Sequence, residues 1–158
     1  MCKLTIISGN KQSGKTSYLI NLLHQLNSEG IICAGFIAEG TFKNNQRNSF
    51  KLIDLSTKDE ILLMDTDPDT GSENIGRFYI NEEGIKFGKN ILNTALNSNC
   101  TKIFIDEIGP LELENKGWSD PFRLLLNSEK ELIISVRRKL LEKVITHFDT
   151  KNYKIIFI

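Results

Sequence analysis

The chain has 158 residues, enough for one domain, spanning 1–158, with a sizeable buried core. Lys plus Arg and Asp plus Glu both number 20, so there is no overall basic field to draw it to nucleic acid, and no stretch approaches the length of a transmembrane span. Cys2, Cys33 and Cys100 are few, odd in number and without metal-ligand spacing, which fits free thiols in a reducing cytoplasm.

Residues 4–16, LTIISGNKQSGKT, read as an apolar strand, a glycine-bounded loop and the opening of a helix. Leu4, Ile6 and Ile7 predict a buried strand, and Leu19, Leu22, Leu23 and Leu26 recur at helical spacing from a start near Ser13 to a stop near Gly30. Between them Gly9, Gly14, Lys15 and Thr16 satisfy G-x-x-x-x-G-K-[ST]. Such a loop turns its amides toward phosphate oxygens, and the helix start adds its unpaired N–H groups. Gly9, Asn10, Lys11, Gln12, Ser13, Gly14, Lys15, Thr16 and Ser17 are therefore the expected nucleotide-binding segment. Lys15 would reach the β- and γ-phosphates and the Thr16 hydroxyl would ligate Mg²⁺.

Ile31 to Glu39 reads as a second strand, parallel to the first. Gly40 to Ser49 reads as a polar loop, and the apolar runs Phe50–Leu55 and Glu60–Met64 as a β-hairpin added to the main sheet. Asp65 to Gly76 is a turn-rich acidic loop. Its Asp65, Asp67 and Asp69 imitate a calcium loop, but Thr70 and Gly76 stand where that loop needs glycine and glutamate, so a solvated loop is expected. A brief strand at Arg77–Ile80 precedes a helix capped by Asn81, with Phe87, Ile91, Ala95 and Leu96 on one face.

Ile103-Phe104-Ile105-Asp106-Glu107 is an apolar strand ending in two acids. At the carboxyl edge of a parallel sheet beside a P-loop, Asp106 would hold Mg²⁺ and Glu107 would activate water near the γ-phosphate. Gly109-Pro110 turns the chain away. Asp120-Pro121 predicts a cap and first-turn proline for the helix carrying Phe122, Leu125 and Leu126. Glu131–Val136 is a further strand, Arg137 onward a helix, and YKIIFI a last strand. His24 and His147 fall on helices as surface or packing residues, and Cys33 reads as a small buried hydrophobe.

These stretches together resemble the small P-loop nucleoside-triphosphatases that include the cancer-related nucleoside triphosphatase and its thermophile homologues. The likeness runs through GFIAEG (35–40), RNSFKLIDL (47–55), IGRFYIN (75–81) and above all IDEIGPLEL (105–113). It implies a three-layer α/β domain with a RecA-like, mostly parallel sheet. It also implies Mg²⁺-dependent hydrolysis of nucleoside 5′-triphosphates, ATP, GTP and others, to diphosphate and phosphate. Gly9, Gly14, Lys15 and Thr16 carry the phosphate and metal roles in that resemblance, and Asp106 and Glu107 the acidic ones. The chain departs from the family pattern at Ser49, where glycine is usual, and at Arg137, where histidine is expected. No arginine finger is evident; Arg47, inside a family-like stretch, is the first candidate and Arg137 the second. A nucleotide or small-metabolite kinase, and a nucleotide-dependent switch gating a protein partner, are the alternatives. No N-K-x-D guanine-reading string occurs, which leaves base choice open.

Overall fold

A computed structural model describes residues 3–158, so Cys2 lies outside the described residues. Within it the strands form one nine-stranded sheet in the order β5-β6-β4-β3-β2-β7-β8-β1-β9. Five of these, β2 (Cys33–Lys43), β7 (Lys102–Ile105), β8 (Glu131–Arg137), β1 (Leu4–Gly9) and β9 (Tyr153–Phe157), run parallel. The other four are antiparallel: β3 (Gln46–Asp54), β4 (Glu60–Asp65), β5 (Asn74–Ile75) and β6 (Phe78–Ile80). The expected parallel sheet with an added hairpin is therefore present, but the antiparallel extension is larger than one hairpin.

Each central strand is apolar on both faces because helices cover both. In β7, Phe104 points to one face with Ile7, Ile37 and Ile133, where Leu19, Leu23 and Leu26 of α1 (Lys15–Ser28) cover them. Ile103 and Ile105 point to the other, with Ile6, Phe36 and Ile134, beneath α2 (Glu82–Leu96), α4 (Ser119–Leu126) and α5 (Leu141–His147). Phe104 is wholly buried, worth roughly 2–3 kcal/mol in removal from water. The three layers follow from this two-sided burial.

Several local readings change. Gly40 to Ser49 is not a loop: β2 continues to Lys43 and β3 begins at Gln46, joined by Asn44 and Asn45 at φ 53° and 61°. Paired left-handed residues suit the right-handed twist of a hairpin, and asparagine tolerates that conformation. The first helix opens at Lys15 rather than Ser13, whose amide stays in the loop and donates to the Asn10 carbonyl at 3.1 Å. α4 begins at Ser119, so Asp120 sits in its first turn instead of capping it. Arg137 ends β8, and a short 3₁₀ turn, Arg138–Leu140, precedes α5. The acidic loop is exposed at Asp67 and Asp69, with Asp67 capping the 3₁₀ turn Pro68–Thr70.

The face of α2 is completed by residues other than those expected. Asn81 caps it as predicted, accepting from the Glu83 amide at 3.3 Å, but Leu92, Gly84 and Gly88 are buried while Phe87 and Leu96 are only partly so. Gly88 is small because a Cβ there would lie 2.3 Å from the Trp118 ring. Cys33 is half-buried and Cys100 buried, both free thiols.

Gly35 is the most constrained point of the sheet. Its φ is +105°, and an added Cβ would meet the Phe104 carbonyl oxygen across the β2–β7 pair at 2.0 Å. Gly30, at φ +77°, has open space around it. Gly35→Ala is expected to cost several-fold more than the roughly 1–2 kcal/mol expected of Gly30→Ala, measured by urea unfolding.

Candidate functional site

β1 ends at Gly9, and the chain reaches Lys15 through five exposed residues, 10–14. Gln12 at φ 61° and Gly14 at φ 95° are left-handed, which curls the loop over the end of the strand. Gly9 is favoured by crowding, since a Cβ would fall 2.9 Å from the Ile158 carbonyl oxygen as well as 2.3 Å from Ser13 Oγ. Lys15 is 8% exposed and lies back across the loop, its Nζ donating to the carbonyls of Asn10 at 2.8 Å and Gly9 at 3.2 Å. Burial lowers its amine below the ordinary lysine range, and nearby Glu107 opposes that shift. Ser17 is exposed on the first turn of α1.

Thr16 faces across to the end of β7. Its Oγ1 donates to Asp106 Oδ2 at 2.8 Å, and the Ala38 amide on β2 donates to the same oxygen at 3.2 Å. Ser135 on β8 donates to Asp106 Oδ1 at 2.6 Å. Burial pushes the Asp106 carboxyl above the usual carboxylate range, against the pull of the Ser135 and Thr16 hydrogen bonds, and the charge of Glu107 adds to the rise. A cation beside these oxygens would reverse that balance. No group of three or more His, Cys, Asp or Glu able to hold a metal occurs among the described residues.

Glu107 points into the same recess. Arg137, at the end of the adjacent β8, pairs its Nε with Glu107 Oε1 at 2.7 Å. Arg47 comes from β3, its guanidinium 5.1 Å from the centre of the Phe42 ring and 5.0 Å from that of Phe50, with a buried Nε that has no hydrogen-bond partner among the described residues. The charges of both arginines are felt at Lys15. Lys11, Lys15, Thr16, Asp106, Glu107, Arg47 and Arg137 therefore line one cavity of about 390 Å³. Arg77 also lines it, whereas Arg123 and Arg138 are engaged elsewhere, stacked on Phe148 and Phe157. Gly9 at the end of β1, Asn10, Gln12, Ser13 and Gly14 in the loop and Ser17 on α1 do not line that cavity.

A family model described as NTPase, NTPase_1, matches residues 4–158. The chain belongs to this NTPase family. The nucleoside-triphosphatase THEP1 of Saccharolobus solfataricus is 30% identical over 133 residues, covering 84% of this chain and 74% of its own length. That of Pyrococcus abyssi is 29% identical over 138 residues, covering 87% and 75%. Among solved structures, THEP1 from the hyperthermophile Aquifex aeolicus superposes with a TM-score of 0.78 at 20% identity, over 98% of this chain and 88% of that one. A human cancer-related nucleoside triphosphatase gives 0.74 at 18%, over 99% and 88%. Both share the fold of the NTPase described above.

Three positions of this NTPase's site escaped the sequence reading. Ser135 sits inside the apolar run ELIISV, and a wholly buried hydroxyl in such a strand is the signal that a polar neighbour needs it. The Ala38 amide has no sequence signal. Glu112, from the DEIGPLEL string, is 4% exposed in α3 (Pro110–Leu113), accepting from the amides of Gly109 at 2.9 Å and Trp118 at 3.1 Å. It ties the turn after Glu107 to the start of α4.

Burial pushes the Glu112 carboxyl up from 4.5 to about 7. The folded protein thus keeps a proton that the unfolded chain releases, so this stabilising contribution is full below pH 4.5 and lost as pH rises through about 7. Glu112→Gln has no such proton to lose. Urea unfolding on either side of this window should show the parent's stability relative to Glu112→Gln falling by about 3 kcal/mol as pH rises.

Proposed function

We propose that this NTPase hydrolyses nucleoside 5′-triphosphates of several bases to diphosphate and phosphate with Mg²⁺, Glu107 activating the water. The observation that carries the reading is the hydrogen bond from Thr16 to Asp106, because it brings the first helix turn of a phosphate loop against an acid at a strand end. Two hard oxygen donors side by side fit a magnesium ion, which takes few protein ligands and fills its remaining positions with water and phosphate oxygens. Thr16 and Asp106 would hold it. When bound, it neutralises charge on the phosphate oxygens.

The residues of the chain do the rest. Lys15 exchanges the carbonyls of Gly9 and Asn10 for β- and γ-phosphate oxygens, and the exposed loop amides cradle the remainder. Arg137 holds Glu107 through Oε1, so the second carboxylate oxygen is left to accept the water proton. The water oxygen bonds to the γ-phosphorus, the bridging oxygen leaves with the diphosphate, and the proton passes to Glu107. Arg47 adds a cation facing the same end of the nucleotide, in the role of a finger supplied in cis.

Phosphate release from ATP, GTP, CTP and UTP tests this reading. Chelation with EDTA should abolish turnover and added Mg²⁺ should restore it. Lys15→Ala is expected to weaken nucleotide binding at least about tenfold, and Glu107→Gln to retain binding while kcat falls about a hundredfold. Undiminished affinity in Lys15→Ala, or parental turnover in Glu107→Gln, would overturn the corresponding role.

A further inference from the structure

The cavity extends past the phosphate-facing residues Lys15, Thr16 and Asp106 to Phe50, Met64 and Phe78, and its volume of about 390 Å³ lies within the range of sites for small organic ligands. Beyond Glu107 its wall is apolar, built from Phe50, Leu63, Met64, Phe78, Ile85 and Trp118. Most of these come from β3, β4, β6 and α2, the part of the chain that the phosphate loop does not need. Phe50 and Phe78 meet edge to face at 5.3 Å, and the guanidiniums of Arg47 and Arg77 lie over their rings at 5.0 and 4.9 Å.

Arg47 and Arg77 add two cations to this lining, the Arg47 Nε buried over Gly40 with no partner among the described residues. Glu107 stands between the apolar wall and Lys15, at the boundary of the two compartments. An apolar, partly aromatic wall, flanking cations and a carboxylate beside a phosphate site suit a flat, hydroxyl-bearing molecule better than bulk water.

We propose that this apolar compartment binds a second substrate, a small aromatic or heterocyclic alcohol of about nucleoside size, and that the protein transfers the γ-phosphoryl group to its hydroxyl. The proposal rests on the nucleoside-triphosphate reading of the phosphate loop. The acceptor oxygen bonds to the γ-phosphorus, the bond from that phosphorus to the bridging oxygen breaks, the nucleoside diphosphate leaves, and the hydroxyl proton passes to Glu107. Water attack in the unfilled compartment is then the hydrolysis that the protein performs without an acceptor. Exclusion of water by the bound alcohol favours transfer.

The test uses the full chain with Mg²⁺ and γ-labelled ATP, alone and with adenosine, guanosine, cytidine, uridine or benzyl alcohol, measuring diphosphate, inorganic phosphate and labelled acceptor. With at least one alcohol, labelled acceptor is expected to exceed inorganic phosphate by about tenfold, reflecting an oriented hydroxyl in place of a free water. Met64→Trp, which fills the compartment, should lower the ratio of labelled acceptor to inorganic phosphate about tenfold, and Met64→Leu should keep it. Ile75→Trp, at the exposed β5–β6 tip, gives the same readout if Met64→Trp does not fold. Equal diphosphate and inorganic phosphate with every alcohol overturns the transferase inference and leaves the hydrolase reading standing. A ratio untouched by both tryptophan substitutions overturns the placement of the acceptor, and no diphosphate in any arm overturns both readings.

Discussion

The buried carboxyl of Asp106 is the point on which the arrangement turns. An acid this enclosed is costly unless its lone pairs are satisfied, and here the satisfying donors come from three separate elements: the Thr16 hydroxyl, the Ser135 hydroxyl and the Ala38 amide. Meeting that demand fixes the first turn of α1, the end of β8 and the middle of β2 relative to the end of β7. The loop that begins at Gly9 is thereby suspended over a framework whose position the carboxyl determines. Glu107, one residue further on, inherits this placement, and its pairing with Arg137 ties it again to β8.

The two halves of the sheet divide the labour. The parallel strands carry the loop, the acids and Arg137 at their carboxyl edge, where open α/β sheets bind ligands. The antiparallel strands bring Arg47 and a set of apolar side chains to the same edge, so the cavity is charged at one end and oily at the other. Glu112 holds the turn after Glu107 against the segment that carries Trp118. Burial raises the proton affinity of this carboxyl, and the two backbone hydrogen bonds it accepts oppose that rise.

What could be read beforehand depended on whether the signal was local. The run Leu4 to Thr16 combines a strand, a fixed glycine and lysine spacing and a helix period, so each part supports the others. Ile103 to Glu107 was legible for the same reason. Gly40 to Ser49 misled because the polar composition of its residues concealed alternation, and because an Asn-Asn pair marks a tight hairpin only through left-handed angles that composition does not display. Ser135, Ala38 and Gly88 answer to partners far away in the chain: an acid, the same acid and an indole ring. Demands of that kind leave little trace within a local stretch. Arg47 and Arg137 could be named from motif and strand position, but that both reach one cavity follows only from the strand order.

The indole of Trp118 packs over Gly88, lies tilted against Phe36 at 4.9 Å between ring centres and forms part of the cavity wall. It is the sole tryptophan of the sequence. All of the protein's indole emission therefore originates beside the compartment under Glu107, with no background from elsewhere in the chain. The fold carries its own optical probe at the place where occupancy matters, so an unlabelled protein suffices to follow ligands entering and leaving in real time.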